Sequence, residues 1–315
     1  NTANINRTLE NALQTAKLLG FKNYAELSLA TKMADTPKQV LTFLHDLARR
    51  AKPYAEKDLA EVKAFARERL NLADPQPWDW SYASEKLREA KYAFRETEVK
   101  KYFPVSKVLA GLFAQIKKLY GIGFAEKTVP VWHKDVRYFE LEQDGKTIGG
   151  VYMDLYAREG KRGGAWMNDY KGRRRFADGT LQLPTAYLVC NFTPPVGGKE
   201  ARLRHDEILT LFHETGHGLH HLLTQVDELG VSGINGVEWD AVELPSQFME
   251  NFVWEYDVLT QMSAHEETGA ALPKELFDKM LAAKNFQRGL FLVRQMEFAL
   301  FDMTIYSEDD EGRLK

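Results

Sequence analysis

Residues 1–121 repeat apolar positions every three or four residues, which is the period of amphipathic helices. The longest such stretch opens at Thr36-Pro37, a combination typical of a helix start. Gly20 and Gly121 end the first and the last of these stretches. The pattern predicts helices over residues 6–19, 24–33, 36–70, 78–93 and 105–120.

After Gly121 the period changes to two, which is typical of strands. Residues 129–156 alternate, and Gln143-Asp144-Gly145-Lys146 has the composition of a hairpin turn. Further strands are predicted at residues 163–167 and 184–192, and helices from about residue 208 to Tyr306. We therefore predict a mainly α protein with a small β-sheet, divided into a helical region, 1–121, and a second region, 122–315.

The helical pattern after the sheet contains His213-Glu214-Thr215-Gly216-His217. Histidines four residues apart on a helix face the same way, so both imidazoles can reach one metal ion. Glu214 lies roughly 100° round the helix from His213, where it can act on a water molecule without binding the metal. The alternative is an ordinary helix whose histidines are satisfied by carboxylates or solvent.

A second helix is predicted after the glycine-rich loop 226–237. Pro245 is tolerated only in the first turn, so this helix begins between Asp240 and Leu244. Glu243 then stands near its start as a candidate third ligand, or as a first-turn carboxylate favoured by the helix dipole. Glu250 lies two turns on, where it can accept a hydrogen bond from a ligand histidine or simply face solvent or a cation.

Composition removes several classes of function. The 315 residues carry a net charge of −3, which argues against nucleic acid as the main partner. Cys190 is the single cysteine, so an internal disulfide framework is excluded, and we expect a cytoplasmic location. No stretch of the sequence is apolar for long enough to span a membrane, and membrane partners are not expected.

The tracts His213 to His221 and Asp240 to Asn251 resemble those of the thimet-oligopeptidase family of zinc metallopeptidases. The resemblance runs along essentially the whole chain. It implies a zincin-like α+β core in region 122–315 and one Zn²⁺ per chain, bound by His213, His217 and Glu243. It also implies that Glu214 is the general base and that short peptides are the substrates.

Two functions remain open on these residues: zinc-dependent hydrolysis of peptide bonds, or a non-catalytic helical module that binds metal or peptide. Retention of Glu214 favours the enzyme, because metal binding alone does not need that carboxylate. Gly163-Gly164-Ala165 is the candidate edge for holding a peptide, with Gly164 and Ala165 as substrate-binding residues; a bulge or tight turn is the alternative. The resemblance further implies a core fragment of a larger peptidase, since relatives carry a Gly- and Tyr-rich segment that has no match between Phe301 and Lys315.

Overall fold

The structure, a computed structural model, describes residues 1–93 and 95–307. The chain forms two compact units. The first contains the described residues of Asn1–Ala93, Glu238–Ala241 and Ala282–Lys315, and the second those of Phe94–Val237 and Val242–Leu281. The division after residue 121 that composition suggests stays a prediction.

The first unit is helical, and its longest helix begins where the sequence predicts. The Thr36 hydroxyl accepts a hydrogen bond of 3.1 Å from the backbone N–H of Gln39, and Pro37 occupies the first helical position. Asn71 ends the helix with a left-handed φ of 57°. The helices of this unit are α1 (Thr2–Leu18), α2 (Tyr24–Leu29), α3 (Pro37–Leu70), α4 (Trp80–Tyr92) and α11 (Arg288–Ser307).

The second unit contains a mixed five-stranded sheet in the order β1-β2-β3-β7-β4. Its strands pair antiparallel except β3 with β7, which are parallel. β4 is therefore an edge strand. A separate small sheet is formed by β5 and β6. The strands are β1 (Gly123–Lys127), β2 (Arg137–Gln143), β3 (Lys146–Tyr156), β4 (Trp166–Lys171), β5 (Arg174–Arg175), β6 (Leu181–Gln182) and β7 (Thr185–Phe192).

Helices complete the second unit. α6 lies against the sheet through Phe113, whose ring stacks on Phe124 of β1 with centroids 4.2 Å apart. The short α8 is followed by a 3₁₀ turn over Asn251–Trp254. The helices are α5 (Glu96–Lys100), α6 (Val105–Tyr120), α7 (His205–Leu222), α8 (Leu244–Glu250) and α9 (Tyr256–Gln261), with α10 (Lys274–Ala283) beginning in this unit.

The two faces of the five-stranded sheet differ in what covers them. One face packs on α7, where the Leu188 side chain approaches Gly218. Cys190 lies two residues on, fully buried, and burial raises the pKa of its thiol. The opposite face carries a cluster of aromatic rings, among them Tyr152 and Tyr187 with centroids 5.5 Å apart.

Several predicted elements are confirmed, and others need correction. α6 and the hairpin between β2 and β3 have the predicted bounds, and Asp144 and Gly145 adopt the positive φ values of 50° and 74° that this turn requires. The strand predicted over 163–167 begins only at Trp166, because Gly164 takes a left-handed φ of 94° and bends the chain before it. Among the described residues, no helix is long and apolar enough to cross a membrane.

Candidate metal-binding and active site

Helix α7 carries the two histidines in its interior. The carboxylate of Glu207 accepts a hydrogen bond of 2.7 Å from the backbone N–H of Arg204, which satisfies a free donor at the helix start. The helix continues without a break through His213 and His217, whose ring centroids are 5.0 Å apart. The four-residue spacing therefore places both rings on one side of the helix.

Glu243, the residue before α8, reaches both histidines. One of its carboxylate oxygens, Oε2, lies 3.2 Å from Nε2 of His213 and 3.2 Å from Nε2 of His217. One ligand atom from each residue can be chosen so that all three lie within 4.8 Å of one another. The three side chains thus form a group that could hold a metal ion.

The close approach of α8 to α7 depends on Gly216. A Cβ added at this glycine would lie 2.5 Å from the carbonyl oxygen of Pro245 and 2.5 Å from Cα of Ser246. Both of these are backbone atoms, so no side-chain rotation could relieve the contact. The glycine inside the motif therefore allows the two backbones to meet, and this contact brings Glu243 to the histidines.

Glu243 and His213 are each held by a further side chain. The Ser246 hydroxyl lies 2.7 Å from Oε2 of Glu243 and 2.9 Å from its backbone carbonyl oxygen, either of which it can donate to. Glu250 Oε1 lies 2.7 Å from Nδ1 of His213. If Nδ1 donates to Glu250, the ring is in the tautomer that leaves the Nε2 lone pair facing Glu243 and available to a cation.

His217 is the more enclosed of the two histidines. Burial is the main cause that lowers the pKa of its imidazole, although the Glu243 carboxylate acts in the opposite direction. The neutral ring is the form that binds metals. Its Nδ1 is buried and has no hydrogen-bond partner among the described residues.

Glu214 lies beside this group but is not one of the three residues that form it. Its side chain is buried, and this burial raises the pKa of the carboxyl group. The charge of His213 and a hydrogen bond with the backbone of Met167 lower the pKa, whereas Glu243 raises it further. Among the described residues Glu214 has no Lys or Arg partner, and a buried carboxylate of this kind suits proton transfer better than one held in an ion pair.

Gly164 and Ala165 lie in the bend that leads into the edge strand β4. The bend is tied to the sheet by Asn191 of β7, whose side-chain amide donates to the carbonyl oxygens of Arg162 (2.8 Å) and Gly164 (2.7 Å). Met167, two residues after Ala165, is the strand residue whose backbone lowers the pKa of Glu214. The edge strand and the helix that carries the histidines therefore meet at Glu214.

Three residues that shape the site are not marked by the sequence motifs: Ser246, Asn191 and Gly216. Ser246 stands three residues after Glu243 at a helix start, a spacing at which a hydroxyl often bonds the preceding residues. This spacing therefore indicates Ser246 as a partner of Glu243. No local pattern indicates Asn191, because its partners are 27 and 29 residues away.

Comparisons with known proteins find matches along all or nearly all of the chain. Residues 1–315 match the model of peptidase family M3. The chain is 57% identical over 297 residues to oligopeptidase A of Salmonella typhimurium and 57% identical over 303 residues to that of Escherichia coli. It is 37% identical over 304 residues to a dipeptidyl carboxypeptidase of Escherichia coli.

These alignments cover 94%, 95% and 95% of this chain, respectively. They cover 44%, 45% and 44% of the relatives, so the chain spans less than half the length of these proteins. A match of the family model along all 315 residues is sufficient to assign the family. The chain belongs to peptidase family M3.

Proposed function

We propose that this chain binds zinc and forms part of an enzyme that hydrolyses peptide bonds in short oligopeptides. The observation that carries the proposal is the convergence of His213, His217 and Glu243 next to the buried carboxylate of Glu214. Relatives named oligopeptidase A and dipeptidyl carboxypeptidase support peptides as the substrate class.

The residues fit one zinc ion per chain. Two imidazole nitrogens and one carboxylate oxygen form a common donor set of catalytic zinc, which keeps a further position for water or substrate. The hydrogen bond between His213 and Glu250 supports the assignment, because zinc-bound histidines usually give their second nitrogen to such an acceptor. The same arrangement supports a zincin-like core for region 122–315.

When bound, zinc supplies a Lewis acid that polarises the scissile carbonyl and lowers the pKa of water to about 7. Glu214 removes a proton from the attacking water as the new C–O bond forms. It then delivers this proton to the amine nitrogen as the C–N bond breaks. The raised pKa of Glu214 suits both steps, since the group must bind the proton and release it again.

The edge strand β4 offers a way to hold the peptide. An extended peptide can pair with an open sheet edge through backbone hydrogen bonds, and Gly164 and Ala165 put little side chain in its path. Asn191 fixes the bend in which Gly164 lies. Because Met167 of the same strand reaches Glu214, a peptide on this edge is brought close to the proposed base.

The buried, unpaired Cys190 supports a cytoplasmic enzyme.

Metal content and turnover measured on matched histidine variants test the proposal. His213→Ala should lose both zinc, from about one ion per chain, and peptide hydrolysis. His220→Ala, on the same helix but outside the group, should keep both. Full zinc in His213→Ala would reject the ligand assignment. Zinc binding by the full-length wild-type protein that contains this chain, with no hydrolysis of any short peptide, would favour the non-catalytic module.

A further inference from the structure

A cavity of about 380 Å³ opens on the aromatic face of the five-stranded sheet, away from α7. Its walls include the rings of Trp132, Trp166 and Tyr187. The Trp132 and Tyr187 rings meet edge to face with centroids 5.4 Å apart. The volume lies within the range of about 300–1,000 Å³ that is usual for ligand pockets.

The cavity has a rigid, charged floor. Arg158 donates two hydrogen bonds, of 2.7 and 2.8 Å, to the buried carboxylate of Asp154. Lys161 lies 2.9 Å from the same carboxylate, and its ammonium also bonds the carbonyl oxygens of Tyr156 (2.8 Å) and Cys190 (2.6 Å). Trp132 donates its indole N–H to Asp154 over 2.9 Å. These four side chains satisfy one another, so the floor is preformed and offers no free carboxylate to a ligand.

Arg162 also lines the cavity but does not belong to this hydrogen-bonded network. Its guanidinium lies 5.8 Å from the centre of the Trp166 ring, it is exposed, and it has no carboxylate partner among the described residues. An arginine of this kind can stack on a further ring that enters the cavity.

The cavity is linked to the proposed reaction site through β4. Met167 pairs with Leu188, which faces α7, whereas Trp166 and Asn168 pair with Val189 and Tyr187 on the opposite face. Side chains of a strand alternate between the two faces of its sheet. A peptide added at this edge would alternate in the same way: one residue would face α7 and the metal group, and its neighbours would face the cavity.

We propose that this cavity is a specificity subsite that receives an aromatic side chain of the peptide, one residue removed from a side chain that faces α7. This inference rests on the proposed peptidase function. Three ring walls and an unpaired guanidinium favour an aromatic group over an aliphatic one. An acidic side chain would meet Arg162 but would lose hydration against the rings.

A positional peptide series tests the subsite. Blocked hexapeptides carry one Phe that is moved one residue at a time through an alanine background, and kcat/KM and the cleaved bond are measured for each. Phe at cavity-facing positions should raise kcat/KM by about 10–100-fold over alanine, with the gain recurring only at alternate positions. An equal gain at adjacent positions, or a larger gain from Glu than from Phe, would overturn the proposal.

Matched variants assign the preference to the cavity. Trp166→Ala should reduce the Phe-over-Ala ratio by about tenfold, and the exposed Arg162→Gln by a smaller factor. Trp78→Ala, which removes an exposed tryptophan that does not line the cavity, should keep the ratio. An unchanged ratio in both Trp166→Ala and Arg162→Gln would reject the subsite.

Photo-crosslinking separates this inference from the function on which it rests. A peptide with benzoylphenylalanine at the favoured position should label β4 or the loop of Trp132 in Glu214→Gln protein, where hydrolysis is not needed. Labelling there without any turnover by the wild-type protein would keep the cavity and reject the peptidase. Turnover with labelling confined to other elements would reject the cavity and keep the peptidase.

Discussion

Two carboxylates are buried to a similar degree on opposite sides of the same sheet, yet their surroundings differ. Glu214 on the α7 side is 6% exposed and Asp154 on the cavity side is 4% exposed. Burial by itself raises the pKa of both carboxyl groups. At Asp154 the hydrogen bonds from Arg158, Lys161 and Trp132 outweigh burial and lower the pKa from 3.8 to about 2. No such set surrounds Glu214 within the described part of the chain, and its pKa is raised.

The difference shows that the hydrogen-bond donors and cations around a buried carboxylate, rather than its degree of burial, decide what it can do. Asp154, whose lowered pKa favours the ionised form, joins the residues after β3 to that strand, which is a structural task. Glu214 can exchange a proton at moderate cost, which is a chemical task. The two sites should therefore respond in opposite ways to the same loss of charge.

The largest effect is expected from Glu214→Gln. Loss of a general base lowers turnover by about 10²–10⁴-fold, while the three proposed zinc ligands remain. Stability should not fall, because a buried charge without a dedicated cation is removed. Peptide kinetics, zinc analysis and urea unfolding of this variant report the three quantities. Near-normal turnover would reject Glu214 as the base.

Asp154→Asn should give the reverse pattern. Removal of the carboxylate leaves the buried ammonium of Lys161 without its counter-ion, which typically costs about 3–5 kcal/mol of unfolding free energy. Urea unfolding measures this loss. The double variant Asp154→Asn/Lys161→Met, which removes both charges, should recover part of it. If the single variant is as stable as the wild type, the contrast between the two carboxylates fails.

A smaller effect is expected at the helix contact that assembles the metal group. Gly216→Ala forces α8 away from α7 and so displaces Glu243. Zinc binding should weaken by about 10–100-fold, the loss that is typical when the groups that orient a metal ligand are disturbed. Gly218→Ala is the matched control, because its added Cβ would lie 3.1 Å from the end of the Leu188 side chain, which can move. Competition with a chelator measures both affinities. Equal affinities would show that the backbone contact does not set the position of Glu243.

Sequence periodicity predicts most of this fold because helix spacing and cap residues are local signals. Thr36-Pro37 and Gly121 mark helix ends within one residue of where they occur. The pattern fails where local signals are weak: residues 129–136 alternate but form no strand, while β1 lies earlier, at Gly123–Lys127. The helix that the sequence predicts after loop 226–237 ends at Glu250, where a 3₁₀ turn follows.

The candidate site, too, is predictable from the sequence only in part. The spacing of His213 and His217 and the helix start near Glu243 are readable from the sequence, and the structure brings these side chains together. The cavity cannot be predicted from the sequence. Its lining residues are far apart along the chain and meet only through the order of the strands: Trp132, Asp154, Trp166 and Tyr187. The parallel pairing of β3 with β7 is likewise a property of the tertiary fold.

The burial of Cys190 has a practical consequence for spectroscopy. It is the only thiol in the sequence, it has no measurable exposure, and its raised pKa keeps it in the unreactive protonated form. Maleimide dyes should therefore leave the folded chain unlabelled. A cysteine in place of the exposed Lys146 would then accept a single fluorophore without prior removal of the natural thiol. The rate at which Cys190 itself becomes modified would report how often the sheet opens.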